Sequence, residues 1–188
     1  MHIQGNPAAI LLFVVLGIFG VVRAVELVIN HRHEKRLRAR GGIRHPNDGL
    51  GIIIAAQVIL FAGLLVEGIL LPPDPRLAAW TWTFLGVAAL ALALRHWCIQ
   101  TLGDHWTIHV MTVPGATLVR RGPYRFLRHP NYVAVAVEAV ALTLAFQLWA
   151  TLALVVAVGA PALWYRVRQE ERALAPFRAR SSVSQKAS

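Results

Sequence analysis

A chain of 188 residues, 56% hydrophobic and 15% charged, falls well short of the roughly 25% charged residues of a soluble domain, so we read it as an integral membrane protein of one domain with no room for a second, soluble one. The net charge of +10, from 19 Lys and Arg against nine Asp and Glu, would suit nucleic-acid binding, but the basic residues sit beside apolar runs. Basic loops on one membrane face explain them better, no nucleic-acid partner is expected, and the single cysteine, Cys98, excludes a disulfide framework or a cysteine-based metal centre.

Four apolar regions follow in chain order. The opening residues Met1–Pro7 lack the positive charge of a signal peptide, so Pro7–Ile29 reads as an uncleaved membrane helix with proline at its first turn. Leu50–Leu71 is the second, ended by Pro72-Pro73, and Leu77–Ile99 the third. Each has the roughly 20 residues that cross a hydrocarbon core. Val133–Tyr165 is the fourth, and it is too long for one crossing.

The positions of the basic residues decide how the fourth run divides. Arg32, Lys35, Arg36, Arg38, Arg40 and Arg44 fall in the loop 30–49, and Arg120, Arg121, Arg125 and Arg128 in 100–132. A further six lie in the tail from Arg166 onward, whereas 72–76 holds only Arg76 beside Asp74. All three basic segments prefer the cytoplasmic side, so 133–165 must enter and return as a helical hairpin turning near Phe146–Trp149. The expected fold is an all-α integral membrane bundle of about five transmembrane helices, the last two a tight hairpin, with the N-terminus outside and the C-terminus cytoplasmic. One domain fills 1–188: three helices in 1–99, a core in 100–177 containing the hairpin, and a small, polar, disordered tail at 178–188.

The most informative residues flank the hairpin. Before it stands Leu118-Val-Arg-Arg-Gly-Pro-Tyr-Arg-Phe-Leu-Arg-His-Pro-Asn-Tyr132. Gly122-Pro123 is a turn signal. Pro130 keeps His129 out of helix and launches the next one, which puts His129 and Tyr132 on one side of its first turn. After the hairpin stands Arg166-Val-Arg-Gln-Glu-Glu171. Arg166 and Glu170, four apart, share a helix face, either as a surface ion pair or as part of a site; Glu171 points elsewhere. Polar groups at a membrane boundary are costly unless they bind something or face water.

Other polar residues have plainer readings. His105 and His109 have the spacing of two metal ligands on a helix, but only Asp104 is near enough to complete a site, and a polar loop is favoured; no metal is expected. Glu26, Glu67 and Glu138 lie within apolar runs and should face the bundle. Glu138 either lines an acceptor pocket, where it could serve as a base, or makes a helix-to-helix hydrogen bond. Cys98 reads as a small buried hydrophobe, and the tryptophans, which mostly lie at span ends, as interfacial belt residues.

GPYRFLRHPNY at 122–132 followed by RVRQEERAL at 166–174 resembles the isoprenylcysteine carboxyl methyltransferase family, over about residues 95–175. The resemblance implies S-adenosylmethionine as cofactor, surrounded by Leu118, Val119, Tyr124, His129, Asn131, Tyr132, Glu170 and Glu171, with Arg166 beside the methyl acceptor and Glu138 as a second candidate for the chemistry there. Eukaryotic members often carry His where this chain has Ala116; Thr112 or His109 is the substitute expected. The absence of an attached soluble domain and the run LRHPNYVAVAVE resemble small prokaryotic members, above all the alkylresorcinol and alkylpyrone O-methyltransferase group. The acceptor implied is then a lipidic phenol or pyrone, or an isoprenylcysteine carboxylate, reached from membrane lipid, in a bacterial inner membrane. Two rival readings are an NADPH-dependent membrane sterol-type reductase of related fold and a non-catalytic membrane helix bundle.

Overall fold

The computed structural model describes residues 7–46, 48–71, 73–116 and 118–186, with side chains for all of these but 75 and 177–186. Residues 1–6, Pro72 and 187–188, on which parts of the sequence reading fall, lie outside them. Five helices carry the fold: α1 (Pro7–Ala39), α2 (Leu50–Leu70), α3 (Ala78–Leu102), α4 (Pro130–Ala145) and α5 (Trp149–Lys186). Four are long and apolar enough to cross a membrane, and α4 is a shorter apolar helix. The expected all-α membrane fold is thus what the chain adopts.

α4 and α5 form the hairpin, turning through Phe146, Gln147 and Leu148, where the run was expected to reverse. The turn holds because Gln147 adopts a left-handed backbone with φ of 57°, while Leu148 N donates to Thr143 O at 2.9 Å. α4 packs chiefly on α3, and α5 chiefly on α2. The core is apolar, with Leu12 and Phe19 of α1, Leu60 and Leu64 of α2, and Ala141, Leu142, Phe146 and Leu148 of the hairpin. Exposed Ile, Leu and Val cover the outer faces of the long helices, as a lipid-facing surface requires.

Close approach of α2 to α5 depends on Gly63: a Cβ there would stand 2.3 Å from Thr151 Oγ1. Glu67 then completes the joint. Its carboxylate accepts from Ala150 N, Thr151 N and Thr151 Oγ1 at 3.1, 2.7 and 2.6 Å, satisfying amides at the first turn of α5 and placing negative charge at a helix N-terminus.

The structure departs from expectation at three places. α1 continues ten residues past Ile29, so the basic stretch Arg32–Arg38 is helical. α5 runs through Lys186, so 178–186, expected to be a disordered tail, is helical. Trp106 is 4% exposed and is no belt residue.

At the basic end of the bundle, a two-residue strand β1 (Ile43–Arg44) pairs antiparallel with β2 (Met111–Thr112), Ile43 opposite Thr112. This pairing ties the α1–α2 connection to the α3–α4 connection. Arg36 and Arg40 reinforce it by gripping Asp104 at 2.8 and 3.0 Å.

Candidate functional site

The α3–α4 connection, the start of α4 and the end of α5 enclose a cavity of about 600 Å³, within the size range of small-molecule and cofactor sites. Its shape begins with Gly122. That residue has φ of 56°, and a Cβ on it would stand 2.6 Å from Thr101 Oγ1, so only glycine lets the chain turn this close against α3. The 3-10 turn Gly122–Arg125 follows and sets Tyr124, half-buried, beside the Cys98 thiol. Burial, then that contact and the nearby Glu170 charge, hold the Tyr124 phenol above its ordinary pKa and therefore neutral. Cys98 itself is fully buried, as expected.

His129 stands just outside α4, and Pro130 opens the helix, as the residue order dictates. The rings of His129 and Tyr132 stack with centroids 5.7 Å apart. Tyr132 donates its hydroxyl proton to Glu170 of α5 and accepts from Arg166 Nε at 3.1 Å. Arg166 and Glu170 are therefore joined through the Tyr132 phenol. His129 lies 3.3 Å from Glu171 by Nε2 and 3.9 Å from Glu170 by Nδ1.

Arg166 is 4% exposed. Its guanidinium donates to the carbonyl of Asp48 at 2.5 Å and to the carbonyl of Ile108, and Nη1 lies 3.3 Å from the Asp48 carboxylate. Asp48 in turn accepts from Leu50 N at 3.0 Å, Val110 N at 3.2 Å and His109 Nδ1 at 2.9 Å. Burial alone would push the Asp48 carboxyl up. The bonds from His109, Leu50 and Val110 and the Arg166 charge together outweigh it and bring its pKa to about 2. A continuous polar chain results: His109, Asp48, Arg166, Tyr132, Glu170.

Leu118, Val119, Tyr124, His129, Asn131, Tyr132, Arg166 and Glu170 all line the cavity. Glu171 is outside the lining and contacts His129, which is part of it. Asn131 brings a buried Oδ1 that has no hydrogen-bond partner among the described residues. Ala116 lines the wall, and so do the polar side chains of His105, His109 and Thr112, the last two being the expected substitutes for a histidine at Ala116. His105 ends a 3-10 turn and His109 lies in the irregular segment after it, so the two do not share a helix face. Among the described residues no group of three or more His, Cys, Asp or Glu side chains could hold a metal.

Glu138 lies elsewhere. It is 2% exposed, does not line the cavity and pairs with Arg23 of α1. Arg23 also binds Glu26 at 2.6 Å, and Glu26 is gripped by Arg95 of α3 at 2.6 and 2.8 Å. Of the two alternatives, the structure thus favours the helix-to-helix contact over the pocket base. The sequence reading also passed over Asp48, Arg23 and Arg95. The usable signal for the two arginines was that a cation inside an apolar run must find a carboxylate.

A model of the isoprenylcysteine carboxyl methyltransferase (ICMT) family matches residues 84–176, the span that carries most of this cavity. An uncharacterized protein of Bacillus subtilis, YpbQ, is 30% identical over 168 residues, covering 88% of this chain and 97% of its own length. An uncharacterized protein of Haemophilus influenzae is 27% identical over 156 residues, covering 81% and 88%. No solved structure matches the chain. The family match, on the residues that build the cavity wall, and a relative aligned over nearly its full length place this chain in the isoprenylcysteine carboxyl methyltransferase family, a family of membrane methyltransferases.

Proposed function

We propose that this protein is an S-adenosylmethionine-dependent O-methyltransferase whose acceptor is a lipophilic molecule drawn from the bilayer, in first place a lipidic phenol or pyrone. The observation that carries the reading is the cavity on which Tyr124, His129, Asn131, Tyr132, Arg166 and Glu170 converge. The residues fit the cofactor. The orphaned Asn131 Oδ1 suits an ammonium or amino donor, the Glu170 carboxylate suits ribose hydroxyls or a cation, and Leu118, Val119 and Leu174 supply apolar wall. Bound there, S-adenosylmethionine would supply a methyl group already activated by its sulfonium. What the protein must add is orientation, a dry site and handling of the acceptor's proton.

Arg166 bears on the acceptor. Its charge is matched by Asp48 and its N–H groups point to protein oxygens. Little of that cation is left to balance an acceptor carboxylate, so the geometry favours a neutral hydroxyl. We place the cavity end of the bundle, with its basic connections, on the cytoplasmic face of a bacterial inner membrane, and the N-terminus outside.

Incubating the purified protein with labelled S-adenosylmethionine and a bacterial lipid extract, followed by mass identification of the product, tests the reading. A lipid heavier by one methyl group is expected. NADPH binding in place of S-adenosylmethionine binding would overturn it in favour of a reductase, and binding of neither would favour a non-catalytic bundle. Reporter fusions at residue 40 and at the C-terminus should both report the cytoplasm; opposite sides would break the topology.

A further inference from the structure

We propose that His109, oriented by Asp48, is the general base that takes the proton from the acceptor hydroxyl, which makes the substrate class a weakly acidic alcohol of the phenol or enol type rather than a carboxylate. The inference rests on the methyl-transfer reading and deepens it.

A phenol attacks a methyl sulfonium poorly while it keeps its proton, whereas a carboxylate arrives already ionised near neutral pH. A methyltransferase for phenols therefore needs a base within hydrogen-bond reach of the acceptor. Glu138, the carboxylate considered for that part from sequence, is turned away from the cavity toward Arg23. Glu170 is occupied as acceptor of the Tyr132 proton, and Arg166 is a cation. His109 remains. It lines the cavity, its side chain is 14% exposed, and its Nδ1–H donates to Asp48 Oδ2 at 2.9 Å. A neutral imidazole protonated on Nδ1 presents a lone pair on Nε2. With Nδ1 held by Asp48, Nε2 is the ring nitrogen left to meet a ligand.

Asp48 is built for the positioning part. It is 7% exposed, and Leu50 N, Val110 N and Arg166 fix its carboxylate. It stays ionised at every pH near neutral, so it holds one histidine tautomer and steadies the imidazolium once formed. Other titratable or charged groups around His109 are Glu34 from α1, His105 after α3, Tyr132 from α4, and Arg166 and Glu170 from α5. In the step itself the acceptor O–H bond breaks and its proton passes to His109 Nε2. The freed oxygen pair forms the new O–CH3 bond, and the carbon–sulfur pair stays on sulfur as a neutral thioether. The imidazolium then returns its proton to water.

The test uses the full chain in detergent, labelled S-adenosylmethionine, a long-chain alkylresorcinol and its more acidic ring-fluorinated counterpart. His109→Gln should keep the wild-type affinity for S-adenosylmethionine and lose about 10²-fold or more in kcat on the alkylresorcinol at neutral pH. Its rate should climb as pH rises toward ~10, where a phenol ionises unaided, and should be higher on the fluorinated acceptor. A variant that retains wild-type kcat at neutral pH would overturn the base and leave the methyl-transfer reading standing. Loss of cofactor affinity in the variant would reassign His109 to the cofactor and overturn the base equally. If the variant does not fold, wild-type kcat on the two resorcinols decides: near-equal rates support an internal base, and a rate tracking acceptor acidity refutes it. Methylation of an S-prenylcysteine carboxylate but not of the resorcinols would sink the inference alone, while transfer to none of these acceptors would sink both readings.

Discussion

Two sets of buried charges run through this bundle, and they are closed in different ways. The first, Arg23, Glu26, Arg95 and Glu138, joins α1, α3 and α4 at mid-bundle. Its two cations meet two carboxylates, with Arg23 Nε and Glu138 Oε2 left without a hydrogen-bond partner among the described residues, and Glu138 does not line the cavity described above. The second, His109, Asp48, Arg166, Tyr132 and Glu170, joins the connections to α4 and α5, and it ends at both extremities on a cavity wall. Charges alike in burial therefore have unlike consequences. A set whose charges are matched within the protein holds helices together. A set that stops at a cavity leaves its terminal groups free to meet a ligand.

Substitutions can break that contrast, and Arg166→Ala should do so most severely. It strands the Asp48 carboxylate and two buried carbonyls, and removing one member of a buried pair costs about 3–5 kcal/mol. Thermal unfolding in detergent should show a marked fall in Tm; an unchanged Tm would mean that Asp48 finds water instead. Glu170→Ala acts at the open end of the same set, where the carboxylate is partly exposed to the cavity. Calorimetry should show affinity for S-adenosylmethionine falling at least ~100-fold, or about 2.7 kcal/mol, with Tm nearly unchanged. Retained affinity would remove Glu170 from the cofactor site.

Glu138→Gln should give the opposite result. It keeps the side-chain shape but leaves Arg23 only Glu26, at a cost of about 1–3 kcal/mol for a weakened buried charged contact. Stability should fall while kcat and KM hold. A collapse of kcat at unchanged Tm would return Glu138 to the chemistry. The smallest effect concerns acid. Folded Asp48 loses its proton at about 2, below the ordinary 3.8, so the folded state binds fewer protons than the unfolded state between those values. The stability it contributes is complete above about 3.8 and drains as pH falls toward 2. Acid titration of Tm should show this slope in the wild type and its absence in Asp48→Asn.

The spans, the hairpin and its turn were legible because hydropathy and basic-loop asymmetry report on single segments. Residues 118–132 and 166–171 were legible because proline, histidine, tyrosine and charge crowd there against apolar neighbours. Asp48 was not: it meets Arg166 across 118 positions, and nothing local to Asp-Gly-Leu distinguishes a helix start from an anchor for a distant arginine. The carbonyl of Ile108 leaves no trace in side-chain identity at all. For Glu138, helical spacing gave the depth but not the neighbour, and the neighbour, Arg23, decides its role.

The brevity of α4 has a consequence for how a lipid is handled. Its 16 residues rise about 24 Å, against a hydrocarbon core of ~30 Å. If the proposed topology holds and the hairpin tip sits at the far interface, the His129 end of α4 would stop several ångströms beneath the near headgroups. The lipidic acceptor proposed above would then keep its tail among its neighbours and need only dip its ring sideways to be modified. Extraction of that acceptor into water would not be needed, and turnover should depend little on tail length.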